Sequence, residues 1–328
     1  MQIAILGAGA WGTALAVSLS GQHQVSLWAR NPATCVALHT TRQHPQVLAG
    51  VRLPEPVAVT PLLTAAIEAA DLVLVTVAVS GVRPVLTELA HHRHVGPVVL
   101  ACKGFERESS LLPHTIAGQV LRAGTPVLSL SGPSFATEVA AGLPAALVLS
   151  GEDPAQVEML RHALHHPRLR LYSNGDPVGV EIAGAMKNVI AIAAGMADGM
   201  GLGLNARAAL ITRGLAEIRR LGEAMGARAE TFLGLAGVGD LMLTCTATLS
   251  RNYRVGQALA GGKPLDAILT DLGEVAEGVW TARSVPALLT RTGVEMPISS
   301  AVAAVLANQL APAAALQQLL GRDPRAEH

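Results

Sequence analysis

The first half of the chain alternates short runs of Val, Ile and Leu with segments of helical length. This alternation is typical of buried parallel strands joined by crossover helices. It predicts strands at residues 2–6, 24–29, 56–59, 72–77, 98–102 and 127–131, and a further pair at 145–149 and 168–172 around a helix at 154–165. We therefore expect an α/β fold with one twisted sheet and helices on both of its faces.

The pattern changes at Asn174-Gly175-Asp176-Pro177, a cluster of turn-forming residues. Beyond it, apolar residues recur at helical spacing and the strand pattern ends. The clearest helix is predicted from about Asn205, a favourable N-cap, to Gly226. Its apolar stripe comprises Ile211, Leu215, Ile218, Leu221 and Met225, and its solvated face is expected to carry the pairs Arg213–Glu217 and Arg219–Glu223. We predict two domains, residues 1–178 and an all-α domain at residues 179–328.

The composition excludes several classes of partner. The chain has no formal net charge and few aromatic residues, so no nucleic-acid partner is expected. The three cysteines have no paired spacing, as is typical of reduced thiols in the cytosol. Residues 1–29 lack the positive segment of a secretory leader, and the apolar run at residues 189–197 is shorter than the roughly 20 residues of a membrane span. We expect a cytoplasmic protein with no membrane span.

A glycine motif follows the first predicted strand. Gly7, Gly9 and Gly12 form G-x-G-x-x-G at the start of a helix-like segment. In a dinucleotide site the first glycine permits a tight turn, the second lets the pyrophosphate approach the backbone, and the third lets helix and strand pack closely. A glycine-rich turn without a ligand is the alternative, but the order strand, motif, helix favours a dinucleotide. The motif makes the predicted sheet Rossmann-type and doubly wound.

The end of the second predicted strand bears on the choice of cofactor. NAD-binding folds usually place a carboxylate there, about 20 residues beyond the glycines, to accept the ribose hydroxyls. This strand instead ends at Arg30, whose guanidinium can pair with a 2′-phosphate. We therefore expect NADP to be preferred over NAD. An ordinary surface arginine is the alternative interpretation.

Lysine is scarce, and its positions are informative. The chain contains only Lys103, Lys187 and Lys263. Lys263 lies in a predicted solvated turn, whereas Lys103 follows a strand at the edge where open α/β sheets bind ligands. Lys187 lies in an apolar helical segment, where a lone lysine must reach solvent, pair or react.

Histidine supplies the complementary evidence. None occurs between Pro167 and Glu327, which excludes an acid–base histidine from most of the second domain. The clusters at residues 91–94 and 162–166 lack neighbouring carboxylates or thiolates, so no metal site is expected.

Two further segments could complete a ligand pocket. Residues 131–135 close the sixth predicted strand with Gly132 and Ser134, which offer free backbone and a hydroxyl. Ser250, Arg251 and Asn252 are predicted to form the N-cap and first turn of a helix at residues 251–260, where N–H groups and a guanidinium suit a phosphate. An ordinary helix start explains the second segment equally well.

Together these motifs resemble those of bacterial NAD(P)-dependent glycerol-3-phosphate dehydrogenases. The resemblance runs through GAGAWGTALA (7–16), CKGF (102–105), SGPSFA (131–136), the block at 184–217, GVGDLMLTCT (237–246), SRN (250–252) and EVAEG (274–278). It implies reduction of dihydroxyacetone phosphate, a small phosphorylated three-carbon substrate, to sn-glycerol 3-phosphate for phospholipid synthesis in the cytoplasm.

The resemblance also implies roles for individual residues. Lys187 matches the proton donor and acceptor, Asp240 the carboxylate beside it, and Lys103 a further catalytic position. The implied substrate contacts are Lys103, Gly132, Ser134, Lys187, Asp240, Ser250, Arg251 and Asn252, with Arg251 holding the phosphate. The implied cofactor contacts are Gly7, Gly9, Ala10, Trp11, Gly12, Arg30, Lys103, Ala136, Arg251, Val275 and Glu277. The chain departs from the family pattern at Val79-Ser80, where Pro-Ser is usual, and around Arg83-Pro84, where the loop is one residue shorter.

Two alternatives remain open at this point. One is another two-domain dehydrogenase, acting on a hydroxy acid or a hydroxyacyl thioester, although the missing histidine counts against the thioester. The other is a redox-sensing dinucleotide binder without chemistry, although the joint presence of Lys187, Asp240 and Arg251 argues against it. The apolar helical domain leads us to expect a homodimer.

Overall fold

The chain divides into two compact units in the computed structural model, which describes residues 1–92, 96–273 and 275–321. The first unit comprises Met1–Glu106 and Leu111–Glu181, and the second comprises Arg107–Ser110 and Ile182–His328. The predicted boundary between the two domains at residues 178 and 179 stays a prediction.

One eight-stranded sheet organises the first unit. Its strands are β1 (Gln2–Leu6), β2 (Gln24–Trp28), β3 (Ala58–Thr60), β4 (Leu72–Val75), β5 (Val98–Leu100), β6 (Val127–Ser131), β7 (Ala145–Gly151) and β8 (Leu169–Asn174). Their order is β3-β2-β1-β4-β5-β6-β7-β8. All neighbouring strands are parallel except β6 and β7. This order confirms the predicted Rossmann-type doubly wound sheet.

The strand boundaries differ from the prediction at the carboxyl edge. Strands predicted to continue to residues 77 and 102 end at Val75 and Leu100. The apolar residues beyond them lie in loops that belong to the ligand-binding edge of the sheet. The chain also reverses after β6, and the connection to β7 carries only a five-residue helix, α6 (Ala136–Ala140).

Helices cover both faces of the sheet. The others in this unit are α1 (Ala10–Leu19), α2 (Pro32–Thr40), α3 (Leu63–Ile67), α4 (Val82–Ala90), α5 (Pro113–Val120) and α7 (Pro154–Leu164). Ile3 and Ile5 of β1 pack in one core cluster with residues of α1, α2 and α7. Ala4 and Leu6 pack in a second cluster with residues of α3, α4 and α5. Because successive side chains of a strand point to opposite faces, both faces of β1 are buried.

The second unit contains helices joined by loops, and no strand among its described residues. Its helices are α8 (Pro177–Gly199), α9 (Gly203–Ala224), α10 (Asp240–Thr246), α11 (Arg251–Ala260), α12 (Leu265–Leu272), α13 (Glu277–Thr292), α14 (Pro297–Leu306) and α15 (Pro312–Leu320). The first residues of α8, up to Glu181, belong to the first unit. The predicted all-α C-terminal region is confirmed.

Helix α9 corrects two details of the prediction: its N-cap is Leu202 and not Asn205, and one of its two expected surface pairs does not form. It begins two residues before Asn205 and is followed by Gly226 with φ of +91°. Arg219 and Glu223 form the expected surface ion pair at 3.2 Å. The expected pairing of Arg213 with Glu217 on the solvated face is wrong, because Glu217 is only 1% exposed and accepts hydrogen bonds from Ile298 and Ser299.

Helix α8 has the length and apolar composition of a membrane span. Within its most apolar window, 94% of the segment is buried inside the protein, which is the setting of a core helix. In the described part of the chain it is the one helix that meets both criteria.

Candidate active site

The three glycines of the turn after β1 differ in how much space surrounds them. Gly7 has φ of +124°, and a Cβ at Gly12 would lie 1.9 Å from the Gly7 carbonyl oxygen and 2.5 Å from Thr76 Oγ1. A Cβ at Gly9, by contrast, would meet no protein atom within 4 Å. The protein itself therefore needs the first and third glycines, whereas the second faces open space through which a pyrophosphate can reach the backbone.

The start of α1 is also suited to an anion. Its N-cap, Gly9, offers no side-chain hydrogen bond to the N–H groups of the first turn. Free N–H groups and the positive end of the helix dipole attract phosphate at such a terminus. Ala10 and Trp11 form this first turn and are half-buried. The residues present therefore fit a dinucleotide.

Arg30 lies directly beyond the carboxyl end of β2. Its backbone is held between Ala29, whose N–H donates to the Thr60 carbonyl at 3.0 Å, and Asn31, whose Oδ1 caps α2 by accepting from Ala33 N at 2.9 Å. The side chain of Arg30 is exposed and forms no ion pair with any described carboxylate. The guanidinium is thus available to an anionic group at this edge.

The carboxyl ends of β5 and β6 bring three predicted residues together. Lys103 Nζ donates to the Gly132 carbonyl at 3.1 Å, and Ser134 Oγ donates to the same oxygen at 3.0 Å. Gly132 has φ of +137°, and a Cβ there would lie 3.1 Å from the Ala146 carbonyl oxygen. Ala136 follows as the first residue of α6. The cluster offers an ammonium and a hydroxyl at the edge where ligands bind.

A buried lysine and carboxylate meet in the second unit. Lys187 of α8 donates from Nζ to Asp240 Oδ1 and, at 2.8 Å, to Thr244 Oγ1. Lys187 is 7% exposed and Asp240 1% exposed. The Thr244 hydroxyl donates in turn to the Asp240 carbonyl at 2.6 Å, which leaves its oxygen to accept from the lysine. The geometry therefore fixes the direction of the ammonium.

Thr244 was missed by the sequence reasoning. Its position four residues after Asp240 places the two on one face of α10, and this spacing could have indicated it. Cys245 also lies beside this pair, but burial raises the pKa of its thiol to about 12. The thiol therefore stays protonated and is a packing group.

Asn252 connects three helices. Its Nδ2 donates to Asn188 Oδ1 at 2.9 Å, and its Oδ1 accepts from Gly278 N at 3.0 Å. A Cβ at Gly278 would lie 2.6 Å from the Asn188 carbonyl oxygen. Asn188 and Gly278, which sequence reasoning also missed, thus hold Asn252 in place at the start of α11.

The remaining predicted residues lie at helix starts. Ser250 caps α11 by accepting from Tyr253 N at 3.3 Å, which confirms the predicted N-cap. Arg251 begins that helix and is exposed. Glu277 begins α13, and Val275, two residues earlier, is 46% exposed. Glu274 of the same motif lies outside the described residues.

The segment that departs from the family pattern is held by one ion pair and a further hydrogen bond. Val79–Gly81 forms one turn of 3₁₀-helix. Arg83 then donates to both carboxylate oxygens of Glu106, at 2.7 and 2.8 Å, and to Gln119 at 3.0 Å. Bidentate pairing of this kind fixes a guanidinium well.

No group of three or more His, Cys, Asp or Glu side chains that could hold a metal ion occurs in residues 1–92, 96–273 and 275–321. His91 and His92 belong to the described part, whereas Arg93 and His94 of that cluster lie outside it.

Comparisons with known proteins agree over nearly the whole chain. Residues 2–157 match the family model of the NAD-dependent glycerol-3-phosphate dehydrogenase N-terminus, and residues 176–317 match that of the C-terminus. The chain is 53% identical over 327 residues to a glycerol-3-phosphate dehydrogenase [NAD(P)+] of Dechloromonas aromatica, covering 100% of this chain and 99% of the relative. It is 53% identical over 328 residues to the same-named protein of Aromatoleum aromaticum, with 100% of both covered.

A solved structure gives the same result. The crystal structure of glycerol-3-phosphate dehydrogenase from Coxiella burnetii superposes with a TM-score of 0.93 at 39% identity, covering 98% of each chain.

Proposed function

Because the chain belongs to the NAD-dependent glycerol-3-phosphate dehydrogenase family, and is thus an NAD(P)-dependent enzyme that interconverts dihydroxyacetone phosphate and glycerol 3-phosphate, we propose that Lys187 is its proton donor and acceptor. The observation that supports this proposal is the buried Lys187 ammonium, held by Asp240 and Thr244. Membership of the family decides against the hydroxy acid dehydrogenase and the redox sensor.

The proposed chemistry follows from the need to protonate an oxygen. When bound, the reduced nicotinamide supplies a hydride to the carbonyl carbon of the ketone. Negative charge then develops on the carbonyl oxygen, and Lys187 Nζ donates the proton that completes the hydroxyl. Asp240 keeps a negative charge beside the ammonium, and Thr244 orients it. In the reverse direction, neutral Lys187 accepts the proton from the alcohol.

The other predicted residues are assigned to binding. We propose that Arg251, with the N–H groups of the first turn of α11, holds the substrate phosphate, because anions bind well at helix N-termini. Ser250 and Asn252 shape that turn, and Lys103, Gly132 and Ser134 contact the substrate. Ala136, Val275 and Glu277 are proposed cofactor contacts.

Arg30 supports a preference for NADPH over NADH. A guanidinium at this position offers a bidentate partner to the 2′-phosphate, where a carboxylate would repel it. The cofactor itself is NAD(P), and the ranking of the two forms is the proposal.

Three wider proposals accompany this assignment. The product is the backbone of glycerophospholipids, so the enzyme supplies their synthesis. We place it in the cytoplasm, as the absence of paired cysteine spacing favours.

We propose a homodimer, which the exposed leucines of the helical unit, such as Leu204 and Leu233, support. Light scattering after size exclusion measures the mass, and a single chain mass would refute the dimer.

The direct test is an absorbance assay at the reduced-nicotinamide band. Dihydroxyacetone phosphate is offered with NADPH and, in parallel, with NADH. We expect oxidation of both cofactors, with the lower KM for NADPH. No oxidation with this substrate would refute the function, and a lower KM for NADH would refute the preference.

The role of Lys187 is tested by substitution with a neutral side chain. Lys187→Met should reduce kcat by at least about 100-fold, because a positioned general acid is lost. Binding of NADPH, measured by fluorescence titration, should be retained.

Lys263→Met is the matched control, because Lys263 is an exposed lysine paired with Asp271. It should keep full turnover. A Lys187→Met enzyme with kcat close to the wild type would contradict the assignment.

A further inference from the structure

Helices α8 and α11 pack backbone against backbone through glycines. A Cβ at Gly195 would lie 2.0 Å from the Tyr253 carbonyl oxygen, and a Cβ at Gly256 would lie 2.0 Å from the Ile192 carbonyl oxygen. A Cβ at Gly199 would lie 2.8 Å from the Ala260 Cβ. No larger residue fits at Gly195 or Gly256 unless the helices separate. The sequence therefore fixes a very close approach of these two helices.

Three side-chain hydrogen bonds hold the same pair of helices against sliding. At one end, Asn252 Nδ2 donates to Asn188 Oδ1 at 2.9 Å. At the other end, the Asp198 carboxylate accepts from Tyr253 Oη at 2.6 Å and from Gln257 Nε2 at 3.1 Å. The contacts of Gly195 and Gly256 lie between these two along α8, and that of Gly199 lies directly after Asp198. Because the side-chain ridges of one helix pack into the grooves of the other, hydrogen bonds at two places along α8 favour one register of α11 on it.

Asp198 also connects to α9. Arg207 Nη1 donates to Asp198 Oδ1 at 3.4 Å and to Tyr253 Oη at 3.3 Å. The Asp198 side chain is 35% exposed, so the charge of this ion pair is partly screened by solvent. Asp198 therefore acts mainly by fixing positions, because its carboxylate accepts hydrogen bonds from side chains of both α9 and α11.

The helices held in this way carry the proposed reacting and binding groups. Lys187 precedes Asp198 on α8 by about three helical turns, which places both on one face of the helix. Arg251 lies on α11 two residues before Tyr253. A shift or rotation of α11 on α8 therefore changes the distance between the Lys187 ammonium and the Arg251 guanidinium.

We propose that Asp198 is a positioning residue for substrate binding. Together with the close contacts of Gly195 and Gly256, it sets the register of α11 on α8 and so places Arg251 for the substrate phosphate. This inference rests on the proposed roles of Lys187 and Arg251. Asp198 contacts neither substrate nor cofactor in this scheme and acts through Tyr253 and Gln257.

The test is a double-mutant cycle on dihydroxyacetone phosphate. Asp198→Ala should raise the KM for this substrate about tenfold, because small displacements of a binding group are costly, with kcat retained within about twofold. In an Arg251→Ala background, the same substitution should add less than about twofold, because the group that it positions is already gone. The KM for NADPH should not change.

Two further variants separate positioning from folding. Asp198→Asn keeps an oxygen that can accept from Tyr253 and Gln257, so it should restore most of the KM. Asp266→Ala removes an exposed carboxylate of α12 in the same unit and should change nothing.

The glycine contacts are tested with one variant within α11 and one directly after it. Gly256→Ala should raise the KM in the same way, or fail to fold. Gly261→Ala, whose Cβ would lie 3.4 Å from the Ala258 carbonyl oxygen, should not. If Gly256→Ala fails to fold, the Asp198 cycle alone decides.

Opposite outcomes overturn the inference in distinguishable ways. If Asp198→Ala lowers kcat as strongly as it raises KM, or has an equal effect with and without Arg251, Asp198 is only structural. In that case the proposed function still stands, since wild-type turnover and the loss in Lys187→Met are unaffected. If the wild type does not turn over dihydroxyacetone phosphate, the proposed function fails and this inference falls with it.

Discussion

The glycines of the turn between β1 and α1 differ in whether the folded protein leaves room for a side chain. Gly12 lies against the Gly7 carbonyl and Thr76, where an added Cβ has no room. Gly9 lies two residues after Gly7 yet has open space in front of it. The protein itself leaves no room for a side chain at Gly12, whereas at Gly9 only a bound ligand would. Substitutions at the two glycines therefore separate folding from cofactor binding.

Gly12→Ala should destabilise the fold by about 1–3 kcal/mol or more, as overpacking does. Gly9→Ala should lower the free energy of unfolding by no more than about 1 kcal/mol, the cost of an alanine N-cap on α1, because its Cβ contacts nothing in the protein. It should nevertheless weaken NADPH binding about tenfold or more, because the methyl group occupies the approach of the pyrophosphate. Urea unfolding and fluorescence titration measure the two effects, and unchanged NADPH affinity in Gly9→Ala would place the pyrophosphate elsewhere.

Arg30 is the second residue with a specific test. Arg30→Ala should raise the KM for NADPH about 10- to 100-fold, the equivalent of losing charge-assisted hydrogen bonds worth about 1.5–3 kcal/mol. The KM for NADH should stay close to the wild-type value, because that cofactor has no 2′-phosphate.

Arg170→Ala is the control for Arg30, because Arg170 is an exposed arginine of the same sheet on β8. It should affect neither cofactor. Equal losses with NADPH and NADH in Arg30→Ala would show that Arg30 does not discriminate between them.

At the scale of elements, one helix caps another. The N-cap of α14, Met296, offers no side-chain hydrogen bond. Glu217 of α9 supplies it instead by accepting from Ile298 N at 2.6 Å, Ser299 N at 3.0 Å and Ser299 Oγ at 2.9 Å. A buried carboxylate thus satisfies N–H groups that would otherwise be left without partners.

Glu217→Ala should lower the free energy of unfolding by about 1–3 kcal/mol, because it leaves buried N–H groups unsatisfied. Burial raises the pKa of Glu217, although its hydrogen bonds to Ile298 and Ser299 oppose this. Since its pKa is higher in the folded than in the unfolded protein, protonated Glu217 stabilises the fold. This stabilisation is complete below the ordinary pKa of 4.5 and is lost as the pH rises through the raised pKa.

The destabilisation caused by Glu217→Ala should therefore shrink as the pH rises from 4.5 to 7. Urea unfolding at several pH values measures it. Glu223→Ala, which removes an exposed glutamate of the same helix, should show a small and constant effect. A loss in Glu217→Ala that is the same at all pH values would contradict the shifted pKa.

The elements also show what the sequence could predict. Periodicity identified the eight strands and the start of α11, because burial on both faces and an N-cap leave local signals. Glu217 was misplaced because its spacing to Arg213 is a local signal, whereas its real partners lie about eighty residues further along the chain. The reversal between β6 and β7 was not specified either, since apolar runs do not encode strand direction.

At the scale of the whole molecule, the two units are not simple halves of the chain. Residues 107–110 leave the first unit and join the second. There Arg107 stacks on Trp280, with its guanidinium carbon 3.5 Å from the ring centroid, and Arg291 donates to the Ser110 carbonyl at 3.4 Å. Sequence patterns locate a boundary where composition changes, at residues 174–177, but such a short excursion leaves no compositional signal.

Helix α8 runs from one unit into the other, and its residue Glu181 ends the first unit. Glu181 is buried and accepts from Ser129 Oγ of β6. It also accepts from His114 at the start of α5, through the backbone N–H at 3.1 Å and through Nδ1 at 2.8 Å. One carboxylate therefore joins a strand and two helices at the point where the chain leaves the first unit.

This junction makes the stability of the molecule depend on pH in a definite direction. Burial alone would lower the pKa of His114, but the hydrogen bond and charge of Glu181, with smaller effects of Glu152 and Asp176, raise it above its ordinary value of 6.5. The stabilisation from the charged pair is therefore complete below pH 6.5 and is lost as the pH rises through the raised pKa.

His114→Gln, which keeps a polar side chain but cannot take a charge, should destabilise the protein more at pH 6 than at pH 9 in urea unfolding. His39→Gln, an exposed histidine of α2, should give no such difference. An equal loss at both pH values in His114→Gln would show that His114 acts through its shape and hydrogen bonds, without its charge.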